Sequence, residues 1–230
     1  MSSIAIITAR GGSKRIPKKN IKDFCGKPII AYSIEAAISS GVFDEVMVST
    51  DSEEIADVAK RFGANVPFLR SEATSDDFAT TADVLKEVIT EYKKMGRTFD
   101  LLCCLYPTAP FVTSDRLAEA KKMLYESDND SIITVVKFNF PPQRALLVRS
   151  GKVEFQYPEY AAARSQDLEP IYHDCGQFYI CRTERFIKYH SMITPKTIPY
   201  EISEEEVQDI DNMSDWVIAE AKYKVFYGGI

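Results

Sequence analysis

The chain has 230 residues, 45% hydrophobic and 27% charged, with 28 lysines and arginines against 34 aspartates and glutamates. A net charge of −6 argues against a surface built to hold a polyanionic nucleic acid, and the composition is that of a globular protein whose core needs no disulfide or metal. No apolar run approaches the roughly 20 residues needed to span a bilayer.

Met1, Ser2 and Ser3 lead straight into a strand-like run, without the charged and apolar regions of a signal peptide. The five cysteines show no CxxC spacing, and His173 and His190 are too few for a His-rich zinc site. These features predict a cytoplasmic protein with reduced thiols and neither a membrane nor a nucleic-acid partner.

Residues 4–8 form an unbroken apolar run rich in β-branched side chains, which predicts a strand covered on both faces, as in a parallel sheet. After Pro28 the spacing of Ile29, Ile30, Ile34, Ala37 and Ile38 predicts a helix stopped at Gly41. Residues 45–49 read as a second strand, 52–62 as a helix with Ile55, Val58, Ala59 and Phe62 inward, and 66–69 as a short strand. The alternation continues with a helix over 81–95, a strand over 101–105, a helix over 114–125 and a strand over 131–136. Such alternation means βαβ units, right-handed crossovers and an α/β fold on a largely parallel sheet. Ligands of such sheets sit at the carboxyl ends of the strands, so chemistry is expected after Thr8, Thr50, Leu105 and Val136.

The rhythm breaks at Pro141 and Pro142. Residues 145–148 and 153–156 flank Arg149-Ser150-Gly151-Lys152 as a hairpin, so about 137–172 reads as an arm inserted into one domain spanning 1–230. A segment at 177–181 and helices over 183–190 and 213–223 return to the core.

Residues 1–22 hold six basic side chains and no acidic one. Within them, Gly11 and Gly12 follow the first strand and let backbone amides approach a ligand, while Arg10, Lys14 and Lys19 offer charge-assisted bonds to phosphate oxygens. Phosphate binding is favoured over the alternative, a solvated basic turn. The spacing is neither GxxxxGK[ST] nor GxGxxG.

Residues 201–215 hold seven acidic side chains and no basic one. Asp209 and Asp211, two apart in an extended segment, could share a hard cation such as Mg²⁺; the equal alternative is capping of the helix entered at Met213. Residues 164–179 are dense in hydrogen-bonding side chains beside aromatics. They suit a polyhydroxylated ligand or, equally, a polar dimer contact, with His173 read as a surface histidine.

Thr8-Ala9-Arg10-Gly11-Gly12-Ser13-Lys14-Arg15-Ile16-Pro17-Lys18-Lys19-Asn20, then Gly26-Lys27-Pro28, Ser49-Thr50-Asp51-Ser52, Tyr106-Pro107-Thr108-Ala109-Pro110 and Asp209-Ile210-Asp211 resemble, in order, the CMP-sialic acid synthetase family of cytidylyltransferases. Pro141-Pro142-Gln143-Arg144, Pro158-Glu159-Tyr160 and the 164–179 segment resemble its pseudaminic acid branch. The resemblance implies a Rossmann-like nucleotide-diphospho-sugar transferase fold, while the broken rhythm and the apolar Leu146, Leu147, Val148 and Phe155 on the hairpin predict a homodimer joined through the arm. It also implies Mg²⁺-dependent transfer of CMP from CTP to a nonulosonic acid, pseudaminic acid foremost, for surface glycan or flagellin glycosylation.

By position, the resemblance assigns Ala9, Arg10, Gly11, Gly12, Ser13, Lys14, Lys19, Asn20, Thr80 and Tyr106 to the nucleotide, with Arg10, Lys14 and Lys19 on the triphosphate. It assigns Gln143, Arg144, Arg164, Asp174, Gln177 and Tyr179 to the sugar acid, and Asp209 and Asp211 to the metal. Arg10, Lys19 and Asp211 are the candidates for the chemical step, Asp211 as proton acceptor. Tyr106 stands where sialic acid synthetases typically have glutamine. Two alternatives remain: another sugar acid (N-acetylneuraminic, legionaminic or keto-deoxy-octulosonic acid), or a non-catalytic nucleotide-binding regulator that needs the basic loop but not Asp209 and Asp211.

Overall fold

The computed structural model describes residues 1–76 and 78–228. β1 (Ser3–Thr8) carries Ile4, Ala5, Ile6 and Ile7 with no solvent exposure, so the strand must lie inside a sheet with both faces covered. A short hairpin, β2 (Asp23–Phe24) and β3 (Lys27–Pro28), precedes α1 (Ile29–Ser39). The alternation then runs through β4 (Glu45–Ser49), α2 (Glu53–Arg61), α3 (Thr81–Lys94), β5 (Leu101–Leu105), α4 (Ser114–Tyr125) and β6 (Ser131–Lys137). After the arm come β9 (Tyr172–Arg182), α5 (Thr183–Tyr189), β10 (Thr197–Glu201) and α6 (Met213–Tyr227), the arm itself holding β7 (Leu146–Arg149) and β8 (Lys152–Phe155).

Among the described residues the main sheet has the order β10-β6-β9-β5-β1-β4. β1 pairs in parallel with β4 and β5, and β10 in parallel with β6, while β9 runs antiparallel to β5 and β6. The sheet is thus mainly parallel with one reversed strand.

Alternation along the strands builds a three-layer core. Ala5 and Ile7 of β1, with Leu101, Cys103 and Leu105 of β5, face Ile34, Val58 and Leu117 of α1, α2 and α4. Ile4, Ile6, Leu102 and Cys104 face the other way, onto Leu85, Val88 and Tyr92 of α3 and Phe186 of α5. A third cluster joins Ile16, Phe24, Ile29, Ile210 and Trp216, fastening the basic loop to the entrance of α6.

Besides the short β2–β3 hairpin, which the pattern did not reveal, two elements differ from the sequence reading. Residues 66–69 are not a strand: Asn65 alone bridges Met47, and Pro67, with no N–H to donate, cannot continue the ladder. Residues 197–201 are a strand that the pattern did not reveal. They sit at the sheet edge, where Pro199 is tolerated.

The arm's β7–β8 hairpin is separate from the main sheet. It turns through Ser150 (φ 52°) and Gly151 (φ 72°), the two positive values a two-residue type I′ turn requires. Leu146, Val148 and Val153 on it are 55%, 75% and 62% exposed.

Candidate active site

The carboxyl edge of the sheet gathers the loop after β1, Asp51 after β4, Tyr106 after β5, the end of β6 and the start of β9. The loop is held by its own backbone and by buried anchors. Ala9 is buried and donates to Ser49 O at 2.9 Å, Ser13 N donates to Gly11 O at 3.0 Å, and Ile16 packs in the third core cluster. Asn20, only 5% exposed, donates to Arg10 O at 2.9 Å and so ties the two ends of the loop together.

Gly11 donates to Asp51 Oδ1 at 2.7 Å; a Cβ there would meet Ser52 Cβ at 3.2 Å, so close approach explains the glycine. Gly12 is exposed, with open space where its Cβ would stand.

Arg10, Ser13, Lys14, Lys19 and Asn20 line a cavity of about 410 Å³, closed on its other sides by Thr81, Tyr106 and Asp211. Arg10 also donates to Asp76 O at 3.1 Å. Lys19 Nζ donates to Ile210 O at 2.7 Å; burial pushes its pKa down, while Asp211 and Asp209 pull it back up. Thr80 does not line this cavity. Its hydroxyl caps α3, accepting from Asp83 N at 3.2 Å, and its neighbour Thr81 faces the cavity instead.

Ile210 is buried between the two aspartates. Asp211 lines the first cavity and accepts from Arg15 Nη2 at 2.8 Å, and Asp209 lines a second cavity of about 600 Å³. Capping of α6 falls to other groups. Asn212 Oδ1 accepts from Ser214 N at 2.8 Å and Asp215 N at 3.2 Å, while Asp215 reaches back to the Asp211 and Asn212 amides. The Asp209 and Asp211 carboxylates are therefore not spent on the helix. Among the described residues no group of three or more His, Cys, Asp or Glu is arranged to hold a metal.

The second cavity meets the first at Tyr106, which lines both. Asp174, Tyr179, His173 and Lys222 contribute to its wall. Gln177 lies elsewhere, 3% exposed, donating to Glu206 O at 2.7 Å. Gln143, Arg144 and Arg164 stay within the arm and line neither cavity. Gln143 donates to Glu169 O at 2.8 Å, Arg144 to Ser165 Oγ at 3.2 Å, and Arg164 grips Asp167 in a fork at 2.7 and 3.0 Å.

Sequence reasoning did not single out Asp51, Arg15, Thr81, His173 or Lys222 for the site. Asp51 and Arg15 had a signal, since each follows a parallel strand at the predicted edge. Lys222, on the final helix, had none.

A family model described as cytidylyltransferase matches residues 4–215. The chain is 39% identical over 226 residues to the pseudaminic acid cytidylyltransferase of Campylobacter jejuni subsp. jejuni serotype O:2, covering 98% of this chain and 97% of that protein. It is 34% identical to the CMP-N,N'-diacetyllegionaminic acid synthase of Legionella pneumophila subsp. pneumophila, covering 96% and 95%. A solved CMP:2-keto-3-deoxy-manno-octonic acid synthetase complexed with CTP superposes with a TM-score of 0.70 at 17% identity, over 96% of this chain and 98% of that one, which shows a shared Rossmann-like fold. Because the family match runs from β1 into the first turn of α6, it takes in both the basic loop and the acidic segment, and the chain belongs to the cytidylyltransferase family of nucleotidyltransferases.

Proposed function

We propose that this chain transfers CMP from CTP to a nonulosonic acid, pseudaminic acid foremost, and releases pyrophosphate. The observation that carries this reading is the meeting at Tyr106 of two cavities, one walled by the basic loop and the other by Asp174 and Tyr179. The choice of sugar is supported by relatives named for pseudaminic acid at 39% and 38% identity, against 34% for the relative named for legionaminic acid.

In this reading the triphosphate lies on Arg10, Lys14 and Lys19, whose charges stabilise the phosphates and the departing pyrophosphate. Positioning and electrostatics supply most of the rate in phosphoryl chemistry. Asp209 and Asp211 are hard oxygen donors released from capping. With no third His, Cys, Asp or Glu grouped with them among the described residues, they suit Mg²⁺, which is commonly held by one or two carboxylates plus substrate phosphates. When bound, the cation supplies charge neutralisation at those phosphates.

A homodimer joined through the arm belongs to the same reading. Its support is the exposed apolar face of β7 and β8, together with the position of Gln143, Arg144 and Arg164 away from both cavities of their own subunit. Across a dimer, their amide and guanidinium groups would reach a sugar acid bound by the partner, where an arginine fork matches a carboxylate. A cytoplasmic location and a role in surface glycan or flagellin glycosylation complete the proposal.

The test is pyrophosphate release from CTP with pseudaminic, legionaminic, N-acetylneuraminic and keto-deoxy-octulosonic acids, each with and without Mg²⁺. The expected result is the highest kcat/KM with pseudaminic acid and Mg²⁺. Release with none of the four would overturn the reading.

A further inference from the structure

Lys222 projects from α6 between two residues that fix the helix: Ala219, which is fully buried, and Tyr223, whose ring meets that of Phe24 edge-on at 5.6 Å. Its ammonium group is held at two points. Nζ donates to Val207 O at 2.7 Å and to Glu204 O at 3.1 Å, and both of those residues, like Lys222 itself, line the second cavity. The charge therefore stands at the cavity wall.

The turn that receives Lys222 is itself anchored. Val207 N donates to Glu204 O at 3.2 Å and closes the turn, while Gln177 Nε2 donates to Glu206 O at 2.7 Å. The Glu206 carboxylate accepts from Arg116 of α4 and from the Tyr227 hydroxyl of α6. Residues of β9, α4 and α6 thus fix the backbone that fixes Lys222, and a cation already held in place loses little freedom when a ligand arrives.

Counting donors leaves one over. An ammonium has three N–H groups and no acceptor, and the two carbonyls take two of them. Neither carbonyl neutralises its charge. The Glu205 carboxylate, on the same turn, is taken by Ser203 Oγ.

The rest of the wall repels anions. Asp174, Glu204 and Asp209 line the same cavity, so an anionic ligand entering it must set its charge against a cation. Lys137, His173 and Lys222 are the basic residues there. Lys137 is exposed at the end of β6, and His173 turns Nδ1 toward the carbonyl of Asp174 at 3.0 Å. Lys222 is partly buried, doubly anchored and permanently supplied with a spare donor.

We propose that Lys222 binds the carboxylate of the sugar acid, the group that distinguishes an acidic sugar from a neutral one. The inference rests on the CMP-transfer reading above and adds to it the cation that the sugar's own subunit supplies. The third N–H of Lys222 and its charge together make a charge-assisted hydrogen bond to the carboxylate. A neutral sugar entering the same cavity leaves that charge unmatched, so Lys222 selects for the acid.

The experiment compares pseudaminic acid with its carboxamide, in which a neutral amide replaces the carboxylate. KM for the acid, KM for CTP and the Ki of the carboxamide against the acid are measured by pyrophosphate release at saturating Mg²⁺. The proteins are the parent, Lys222→Met, Lys222→Gln, Lys222→Arg and Arg164→Ala, each with its Tm. The expected result in Lys222→Met and Lys222→Gln is a rise of about 10- to 150-fold in KM for the acid, with KM for CTP and the Ki of the carboxamide within about threefold of the parent. Lys222→Arg, which keeps the charge, should recover most of the loss. An unchanged KM for the acid would overturn the proposal, and so would equal weakening of acid and carboxamide, the result of a displaced turn. Loss of the preference for the acid in Arg164→Ala alone would assign the carboxylate to the arm instead. If Lys222→Met fails to fold, Lys222→Gln, whose amide still donates to a carbonyl, decides it. A parent enzyme that releases no pyrophosphate with any sugar acid overturns the reading of the reaction; an active parent with unchanged KM values in the Lys222 variants overturns only the role of Lys222.

Discussion

Lys19 donates a 2.7 Å hydrogen bond to the carbonyl of Ile210, joining the basic loop after β1 to the segment that carries Asp209 and Asp211. One side chain therefore couples the cationic and anionic halves of the site. Lys19→Ala and Arg10→Ala should each cost about 1.5 to 3 kcal/mol of transition-state stabilisation, roughly 10- to 150-fold in kcat/KM for CTP. Near-normal kcat/KM in both variants would contradict phosphate binding by the loop.

Lys19 also sets a pH limit. Burial lowers its pKa below the usual lysine value, so its positive charge is present at low pH and lost as pH rises through that lowered value. KM for CTP should rise on the alkaline side earlier than an ordinary lysine would allow. In Lys19→Arg, which stays charged, the alkaline rise should vanish. Steady-state kinetics across the alkaline range checks both.

Asp209→Asn and Asp211→Asn should raise the Mg²⁺ concentration needed for half-maximal rate while leaving Tm nearly unchanged, because α6 is capped by Asn212 and Asp215. Asn212→Ala supplies the converse, a loss of about 1 kcal/mol of stability with unaltered Mg²⁺ dependence. A Mg²⁺ titration and a melting curve for each variant separate the two roles.

The arm makes a prediction about assembly. Arg10→Ala and Arg164→Ala subunits, each impaired alone, should regain part of the activity when mixed, since a hybrid dimer would hold one site with an intact loop and a partner's intact arm. Subunit exchange is followed by size and by a tag on one variant. A monomeric parent protein, or hybrids that form and stay inactive, would refute the shared site.

Asp83 ties the start of α3 to His190, with 2.9 Å between Oδ1 and Nε2, and completes the capping box with Thr80. Hydrogen bonds from Thr80, with help from His190, hold its pKa down at about 2. A depressed carboxylate contributes stability above its unfolded value, and that contribution is lost as pH falls through the folded one. The Tm gap between the parent and Asp83→Asn should therefore be wide at neutral pH and close as pH falls from about 4 toward 2. A gap independent of pH would assign the effect to packing instead.

Local pattern by itself determined the strands that are apolar on both faces, such as β1 and β5, and the helices with one apolar face, because those signals repeat within a few residues. It also determined the β7–β8 hairpin, where Ser150 and Gly151 accept positive φ, and the basic character of the loop from Ala9 to Asn20. Pairing between distant segments decided the rest. Pro199 disguised β10, which is a strand only because β6 offers it an edge, and Pro67 ended a ladder that Asn65 had begun. Asp209 and Asp211 read equally as caps or ligands until the structure showed Asn212 and Asp215 at the helix and Ile210 buried with Ile16. The Tyr179–Asp174 hydrogen bond lies furthest from the sequence. It exists because β9 gains residues against β6, and register between strands is set by partners that lie far apart along the chain.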